Sequence, residues 1–246
     1  MSRPAATLFL RLTGLARSIG FLTALGVLTA IWGPAATFCA LLRPGGKGFI
    51  RCGRRWARGL LRAAGVQVRV EGLELLGAGR SYVFMANHQS HFDVLALLHA
   101  LPFDLRAVAK KELGRVPLFG WALTAAGFIM VDRSKRDSAI ASLARAPEIL
   151  RGGRSILLFA EGTRSTDGRL LPFKKGGFMM ALAAGASVVP VAVCGSRGIL
   201  PKGSHIVSPG TIEVRVRPPI ETAGRGTRAR DELMAEVRAS IERGLR

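Results

Sequence analysis

The sequence predicts an α/β fold, a mostly parallel or mixed sheet flanked by helices. Three observations carry this. Seven short β-branched and aliphatic stretches alternate with helical stretches from about residue 66 onward. Several of the seven are nearly continuous apolar runs, as strands covered on both faces are. The 246 residues, 49% of them hydrophobic, suffice for one sizeable core or two small ones. Ahead of this pattern lies a long apolar run, expected to form an N-terminal membrane-associated helical segment.

That run, Ser18 to Leu42, is 25 residues without a charge, bounded by Arg17 and Arg43. About 20 apolar residues cross a bilayer. A buried core helix and a cleaved signal peptide are the alternatives, although the run is long for a signal h-region and no convincing small-x-small site closes it. Gly33-Pro34 interrupts it, and proline inside a helix removes a hydrogen bond and kinks or ends the helix. Arg3, Arg11 and Arg17 precede the run, and Arg43, Lys47, Arg51, Arg54 and Arg55 follow it. A single span normally has its basic charge on one side. Charge on both sides suits two helices dipping into one leaflet. Residues 1–45 are therefore expected as a membrane-associated helical hairpin or a single span, whose removal should leave a folded domain over 46–246. Within 46–65, Arg51, Arg54, Arg55, Arg58 and Arg62 recur at helical spacing beside Phe49, Ile50, Trp56, Leu60 and Leu61. This reads as a basic interfacial helix meeting anionic headgroups, or as an ordinary solvated basic face.

The expected strands are Val66–Val70, Tyr82–Met85, Arg106–Ala109, Gly127–Val131, Ile156–Phe159, Val188–Val193 and Ile212–Val216. Pro190 demotes the sixth to an edge or bulged strand. The expected helices are Phe92–Ala100, Pro117–Ala126, Arg136–Leu150, Phe178–Ala184 and Arg228–Leu245. The last carries Leu233, Val237, Ile241 and Leu245 at i, i+4 spacing.

Thirty-six Lys and Arg against 16 Asp and Glu give a net charge of +20, which calls for an anionic partner or surface. The mean hydropathy of +0.28 argues against disorder. Residues 1–70 hold 11 of the cations and no acid, beside the most apolar part of the chain. Nucleic-acid binders interleave basic charge with stacking aromatics. Here there is one tyrosine, so no nucleic-acid partner is expected. Cys39, Cys52 and Cys194 are too few and scattered for a disulfide scaffold or a four-ligand zinc site, which points to a reducing compartment.

Two segments carry chemistry. Asn87-His88-Gln89-Ser90-His91-Phe92-Asp93 follows one strand and opens a helix, where strand-end loops line ligand crevices. Asp93 would sit close enough to His88 to fix its tautomer and stabilise imidazolium, freeing the other nitrogen to take a proton from a hydroxyl. Metal binding by His88, His91 and Asp93 is a weaker alternative, because the spacing matches no common site, and plain helix capping is the blander one. Phe159-Ala160-Glu161-Gly162-Thr163-Arg164-Ser165 ends a later strand. Gly162 allows close backbone approach, Thr163 and Ser165 offer hydroxyls, and Arg164 presents a fork suited to phosphate. Lys174 and Lys175 follow. A capped, solvated turn is the plainer reading.

Together these segments resemble the glycerolipid acyltransferase family, most closely the 1-acyl-glycerol-3-phosphate (lysophosphatidic acid) acyltransferases. Lys110-Lys111-Glu112-Leu113, Pro117-Leu118-Phe119-Gly120 and Gly127 to Arg133 look like the family's second block, and Val189-Pro190-Val191 looks like its fourth. The resemblance covers roughly residues 66–200. It implies His88 as general base and Asp93 as its orienting carboxylate. It makes Arg164 and Lys110 phosphate-binding cations, places Glu161, Gly162 and Thr163 in the acceptor-binding block, and adds Arg133 as a further basic contributor. Ala160 stands where the family usually has proline.

The implied reaction moves an acyl group from an acyl-CoA or acyl carrier protein thioester to the hydroxyl of a lysophosphatidic acid-type acceptor, with no metal or bound cofactor. Donors for the oxyanion would come from backbone N–H groups at a helix start. The partners are membrane lipids and these two substrates, at the cytoplasmic face of the inner or plasma membrane. Another lyso-lipid acceptor, such as lyso-ornithine lipid, is the main alternative. A serine hydrolase would need a Gly-x-Ser-x-Gly elbow, and Cys194-Gly195-Ser196-Arg197-Gly198 lacks the first glycine. A non-enzymatic basic membrane-binding protein is the remaining class.

Overall fold

The computed structural model describes residues 3–116, 119–132 and 136–246. β1 (Val66–Glu71), β2 (Val83–Ala86), β3 (Leu105–Lys110), β4 (Ile129–Val131), β5 (Ser155–Phe159), β6 (Val188–Cys194) and β7 (Gly210–Val216) form one mixed sheet in the order β1-β7-β6-β2-β5-β3-β4. All neighbours pair in parallel except β6 and β7. The expected α/β class and each of the seven expected strands are found, with ends moved by one or two residues.

Both faces of the sheet are covered, which is why its strands read as continuous apolar runs. Phe84 and Ala86 pack on one side with α2 (Lys47–Ala63) and α3 (Phe92–Ala100). Val83 and Met85 pack on the other with α6 (Ala146–Arg151), α7 (Lys175–Ala184) and α9 (Arg230–Leu245). Leu233, Val237 and Ile241 supply the buried stripe of α9, as their spacing predicted. The expected helix over 136–150 is instead two, Arg136–Leu143 and Ala146–Arg151. Pro147 lies in the first turn of the second. It lacks an N–H and disfavours helical geometry in the residue before it, so it starts a helix rather than continuing one.

Pro190 is a second difference. β6 is interior, between β7 and β2. Its register with the returning chain shifts by one residue between the Val188–Ile220 bridge and the Val191–Val216 pair. That bulge lets the sheet tolerate Pro190: its carbonyl still accepts the N–H of Arg217 (2.9 Å), while its missing donor falls beside the irregular Pro218-Pro219 segment.

The N-terminal run is one helix, α1 (Arg3–Leu42), which passes through Gly33-Pro34 without a break. Proline removes one donor there, and Thr37 Oγ1 donates to the Gly33 carbonyl at 2.9 Å. Thr13–Leu42 is long and apolar enough to cross a membrane. One face of α1 is not free. Phe21 lies against Phe92 with ring centroids 5.2 Å apart, and Leu25 and Leu28 join the same core. Ser18 Oγ accepts the N–H of Val207 at 2.9 Å. On the other face Leu15, Ile19, Leu22, Val27, Ile31 and Phe38 are exposed.

This docking changes the expectation for the truncation. Without residues 1–45 the domain loses part of its core and leaves the Val207 N–H unpaired. The milder Ser18→Ala should lower stability by about 1–3 kcal/mol, read as a fall in melting temperature of the full chain in detergent. An unchanged melting temperature would mean that α1 does not dock in solution.

The turn between α1 and α2 is pinned to the sheet. Arg106 is fully buried and pairs with Asp104 (2.5 Å), and its guanidinium donates to the Gly45 carbonyl at 2.8 Å. Gly45 has φ +72° and donates its N–H to the Ala125 carbonyl of α4 (Phe119–Ala125). The apolar residues of α2 face inward: Phe49, Ile50, Leu60 and Leu61 are buried, and Trp56 Nε1 donates to Thr29 Oγ1 at 3.0 Å. Arg51, Arg55, Arg58 and Arg62 are exposed on its outer side, with Lys47 and Ala63, whereas Arg54 turns in and donates to the Leu101 and Phe103 carbonyls.

Candidate active site

β2, β5, β3 and β4 are adjacent and parallel, so their carboxyl ends share one edge of the sheet. Ligand crevices in open α/β sheets form at such an edge. The chain delivers its chemical segments there. His88 follows β2, Glu161 follows β5, Lys110 ends β3, and Asp132 follows β4. They are distant in sequence and meet only because the strands are neighbours.

Asn87 extends the sheet for one more step. Its side-chain amide donates to the Val193 carbonyl (2.9 Å) and accepts the Val193 N–H (2.7 Å), as a strand backbone would. The chain then turns into α3. His88 Nδ1 lies 2.8 Å from Asp93 Oδ2. The same oxygen accepts the N–H groups of Gln89 (2.7 Å) and Ser90 (2.9 Å). Asp93 is fully buried, and a buried carboxylate needs such donors to persist. Its Oδ1 is buried without a partner among the described residues. The His88 ring stacks on Phe159, centroids 3.8 Å apart and planes 12° apart. With Nδ1 engaged and one face covered, the ring orientation is set and Nε2 carries no hydrogen bond among the described residues.

Glu161 holds the loop from behind. Its Oε1 accepts the His88 N–H and its Oε2 the Leu171 N–H, each at 2.8 Å. Burial pushes its carboxyl above the ordinary range, opposed by those two donors and by His88. Both oxygens are thus occupied inside the protein, so the structure gives Glu161 a positioning contact where the resemblance implied a substrate contact. Ser165 N–H donates to the His88 carbonyl at 2.8 Å, joining the two segments directly.

The N–H groups of His88, Gln89 and Ser90 all end on carboxylates, and that of Phe92 on Ser90 Oγ at 3.3 Å. These donors at the start of α3, where oxyanion donors were expected, are therefore engaged within the protein.

The remaining expected residues are placed as follows. Gly162 has φ +69°, and a Cβ there would meet Lys174 Cγ at 3.0 Å. That is why the turn takes glycine. Thr163 is exposed and Arg164 half-buried. The Arg164 cation lies close enough to His91 to push its imidazole down, after the larger effect of desolvation. Lys110 is largely exposed and pairs with Glu112 at 3.4 Å. It stands two strands from β2, so the structure does not bring it to the dyad. Its neighbour Lys111 instead binds Asp132 at 2.6 Å, clamping the ends of β3 and β4. Arg133, Pro117 and Leu118 lie outside the described residues. Lys202 joins the edge unexpectedly, donating to the Arg164 carbonyl at 3.0 Å. Nothing local in Pro201-Lys202-Gly203 signals this, since the contact spans 38 residues. Among the described residues no group of three or more His, Cys, Asp or Glu is arranged to hold a metal ion.

A family model described as Acyltransferase matches residues 67–194, just over half the chain. The chain is 37% identical over 177 residues to the 1-acyl-sn-glycerol-3-phosphate acyltransferase LPAT1, chloroplastic, of Arabidopsis thaliana, covering 71% of this chain and 48% of that protein. It is 34% identical over 162 residues to the 1-acyl-sn-glycerol-3-phosphate acyltransferase alpha of Mus musculus, covering 65% and 57% respectively. The chain thus spans about half the length of these relatives. The crystal structure of PlsC from Thermotoga maritima, titled a 1-acyl-sn-glycerophosphate acyltransferase, superposes with a TM-score of 0.81 at 27% identity, covering 95% of each chain. The matched span runs from β1 through β6 and so takes in the whole edge where the dyad and the Glu161 turn meet. On that match the chain belongs to the acyltransferase family.

Proposed function

We propose that the protein transfers a fatty acyl group from an acyl-CoA or acyl carrier protein thioester to the free hydroxyl of 1-acyl-glycerol-3-phosphate, giving phosphatidic acid. The observation that carries this is the 2.8 Å His88–Asp93 contact at the end of β2, with His88 Nε2 free of hydrogen bonds among the described residues. Nε2 takes the proton of the acceptor hydroxyl as its oxygen attacks the thioester carbonyl. Asp93 holds the tautomer and stabilises the imidazolium. The tetrahedral intermediate collapses with cleavage of the C–S bond, and the imidazolium returns its proton to the leaving thiolate. The acceptor hydroxyl is the nucleophile, so no protein nucleophile is required. Arg164 holds the acceptor phosphate, with Lys110 and Arg133 as further cations. Gly162 and Thr163 shape the turn against the acceptor, and Glu161 fixes the His88 backbone.

Residues 1–45 associate with the membrane and residues 46–246 form the acyltransferase domain. This arrangement supports work on lipid substrates at the cytoplasmic face. The membrane association draws on the exposed apolar face of α1, and the lipid substrate on the names of the relatives.

The reading is tested by thioester turnover of the purified chain with a panel of acceptors: 1-acyl-glycerol-3-phosphate, lysophosphatidylcholine and lyso-ornithine lipid. The first should be used best. Preference for an acceptor without a phosphate monoester would overturn the phosphate assignment. Arg164→Ala should raise the acceptor KM by about tenfold or more while leaving the donor KM near its original value, since a hydrogen bond to a charged group contributes about 1.5–3 kcal/mol. Arg164→Lys should recover only part, because an ammonium cannot pair bidentately. A rise confined to donor KM would remove Arg164 from this role.

A further inference from the structure

A cavity of about 480 Å³ lies between α2, β1 and the last turn of α3. Arg58 and Arg62 of α2, Arg69 of β1 and His99 of α3 line it, over Leu61 and Val66. No Asp or Glu lines it. The three guanidiniums make no hydrogen bond or ion pair among the described residues, whereas many other arginines of the chain are paired. His99 Nδ1 is buried with no partner among the described residues. The His99 imidazole is pushed down by burial and by the nearby Arg58 and Arg62 cations. Three like charges and an unpartnered ring nitrogen around one cavity favour an anion there.

We propose that this cavity binds a phosphate ester, at a site distinct from the acceptor phosphate at Arg164. Guanidinium forks match phosphate oxygens bidentately, and His99 Nδ1–H supplies a further donor. β1 is separated from β2 by β7 and β6, about 14 Å of sheet at the usual strand spacing. One ligand therefore occupies this cavity while His88 acts on another group. The apolar face of α2 is buried against the domain, so the outward arginines meet charge rather than hydrocarbon. A phosphate ester can come from an anionic lipid headgroup or from a soluble phosphate monoester. The chemistry is the same, and the assignment is independent of the acyl-transfer reading.

The test uses the full chain in non-ionic detergent and follows the His99 ring resonance by NMR during titration with inorganic phosphate. The chain has four histidines, so His99→Gln assigns the signal. The resonance should shift saturably. Replacing Arg58, Arg62 and Arg69 together by Gln should weaken binding at least about tenfold. All three are exposed, so the fold should survive. Replacing Arg228, Arg243 and Arg246 by Gln removes the same charge from exposed positions elsewhere and should leave binding unchanged. Displacement of phosphate by phosphatidic acid in detergent–phosphatidylcholine mixed micelles, but not by 3′-AMP, would assign the headgroup source, and the reverse would assign the soluble one. No saturable shift of His99, or equal weakening by both triple variants, would overturn the site and leave only diffuse surface charge.

Discussion

Replacing His88 by alanine is expected to lower kcat for acyl transfer by about 10²–10⁴-fold, the usual contribution of a positioned general base. The fold should be nearly unaffected. The contacts that hold this loop are backbone contacts: His88 N–H to Glu161, the His88 carbonyl to Ser165 N–H, and the Gln89 and Ser90 N–H groups to Asp93. Alanine keeps all of them and loses only the stack on Phe159 and the Asp93 contact. Membrane association should also be unchanged, because α1 is untouched. The check is steady-state kinetics beside a melting curve and vesicle flotation of the same preparation. A well-folded variant with near-normal turnover would remove His88 as base. If His91→Ala were then the inactive one, the roles would exchange. Against that outcome, the ring contact to a carboxylate found among the described residues is made by His88 and not by His91.

Asp93→Asn should produce the second large loss, again on the order of 10²–10⁴-fold in kcat. One oxygen of Asp93 accepts three donors at 2.7–2.9 Å in a fully buried position. Asparagine offers a single acceptor. If that oxygen serves the two backbone N–H groups, the amide stabilises imidazolium far less than a carboxylate does. If the amide nitrogen turns toward the ring, it selects the wrong tautomer. Either way stability should also fall, by about 1–3 kcal/mol, from the weakened buried hydrogen bonds. Kinetics measured well below the variant's melting temperature separate the two effects. A variant that melts early but turns over normally in its folded state would make Asp93 a loop anchor and not a partner of His88.

Much of this was legible in the sequence because it is local or periodic. Phe92–Ala100 is found with the expected ends, and the seven strands stand where two-sided apolar runs placed them. The His88–Asp93 pairing follows from a five-residue offset into the first helical turn. What was not legible depends on partners far away in sequence. Nothing in Glu161-Gly162-Thr163-Arg164 reveals that both Glu161 oxygens are taken by the N–H groups of His88 and Leu171. Pro190 argued for an edge, but the bulge beside Pro218-Pro219 let it stay inside the sheet. Gly33-Pro34 argued for a break that one helix absorbs. The spacing of Arg51, Arg55, Arg58 and Arg62 shows a basic face on α2, but not that Phe49, Ile50, Leu60 and Leu61 are covered by the domain.

The most direct measurement counts thiol released and phosphatidic acid formed in one reaction of the purified full chain with an acyl thioester and 1-acyl-glycerol-3-phosphate. Direct transfer to the acceptor hydroxyl through His88 requires the two products in equal amounts, no thiol release when the acceptor is omitted, and loss of both products in His88→Ala. Thiol release that continues without acceptor and yields free fatty acid, or phosphatidic acid formed equally well by His88→Ala, would contradict it.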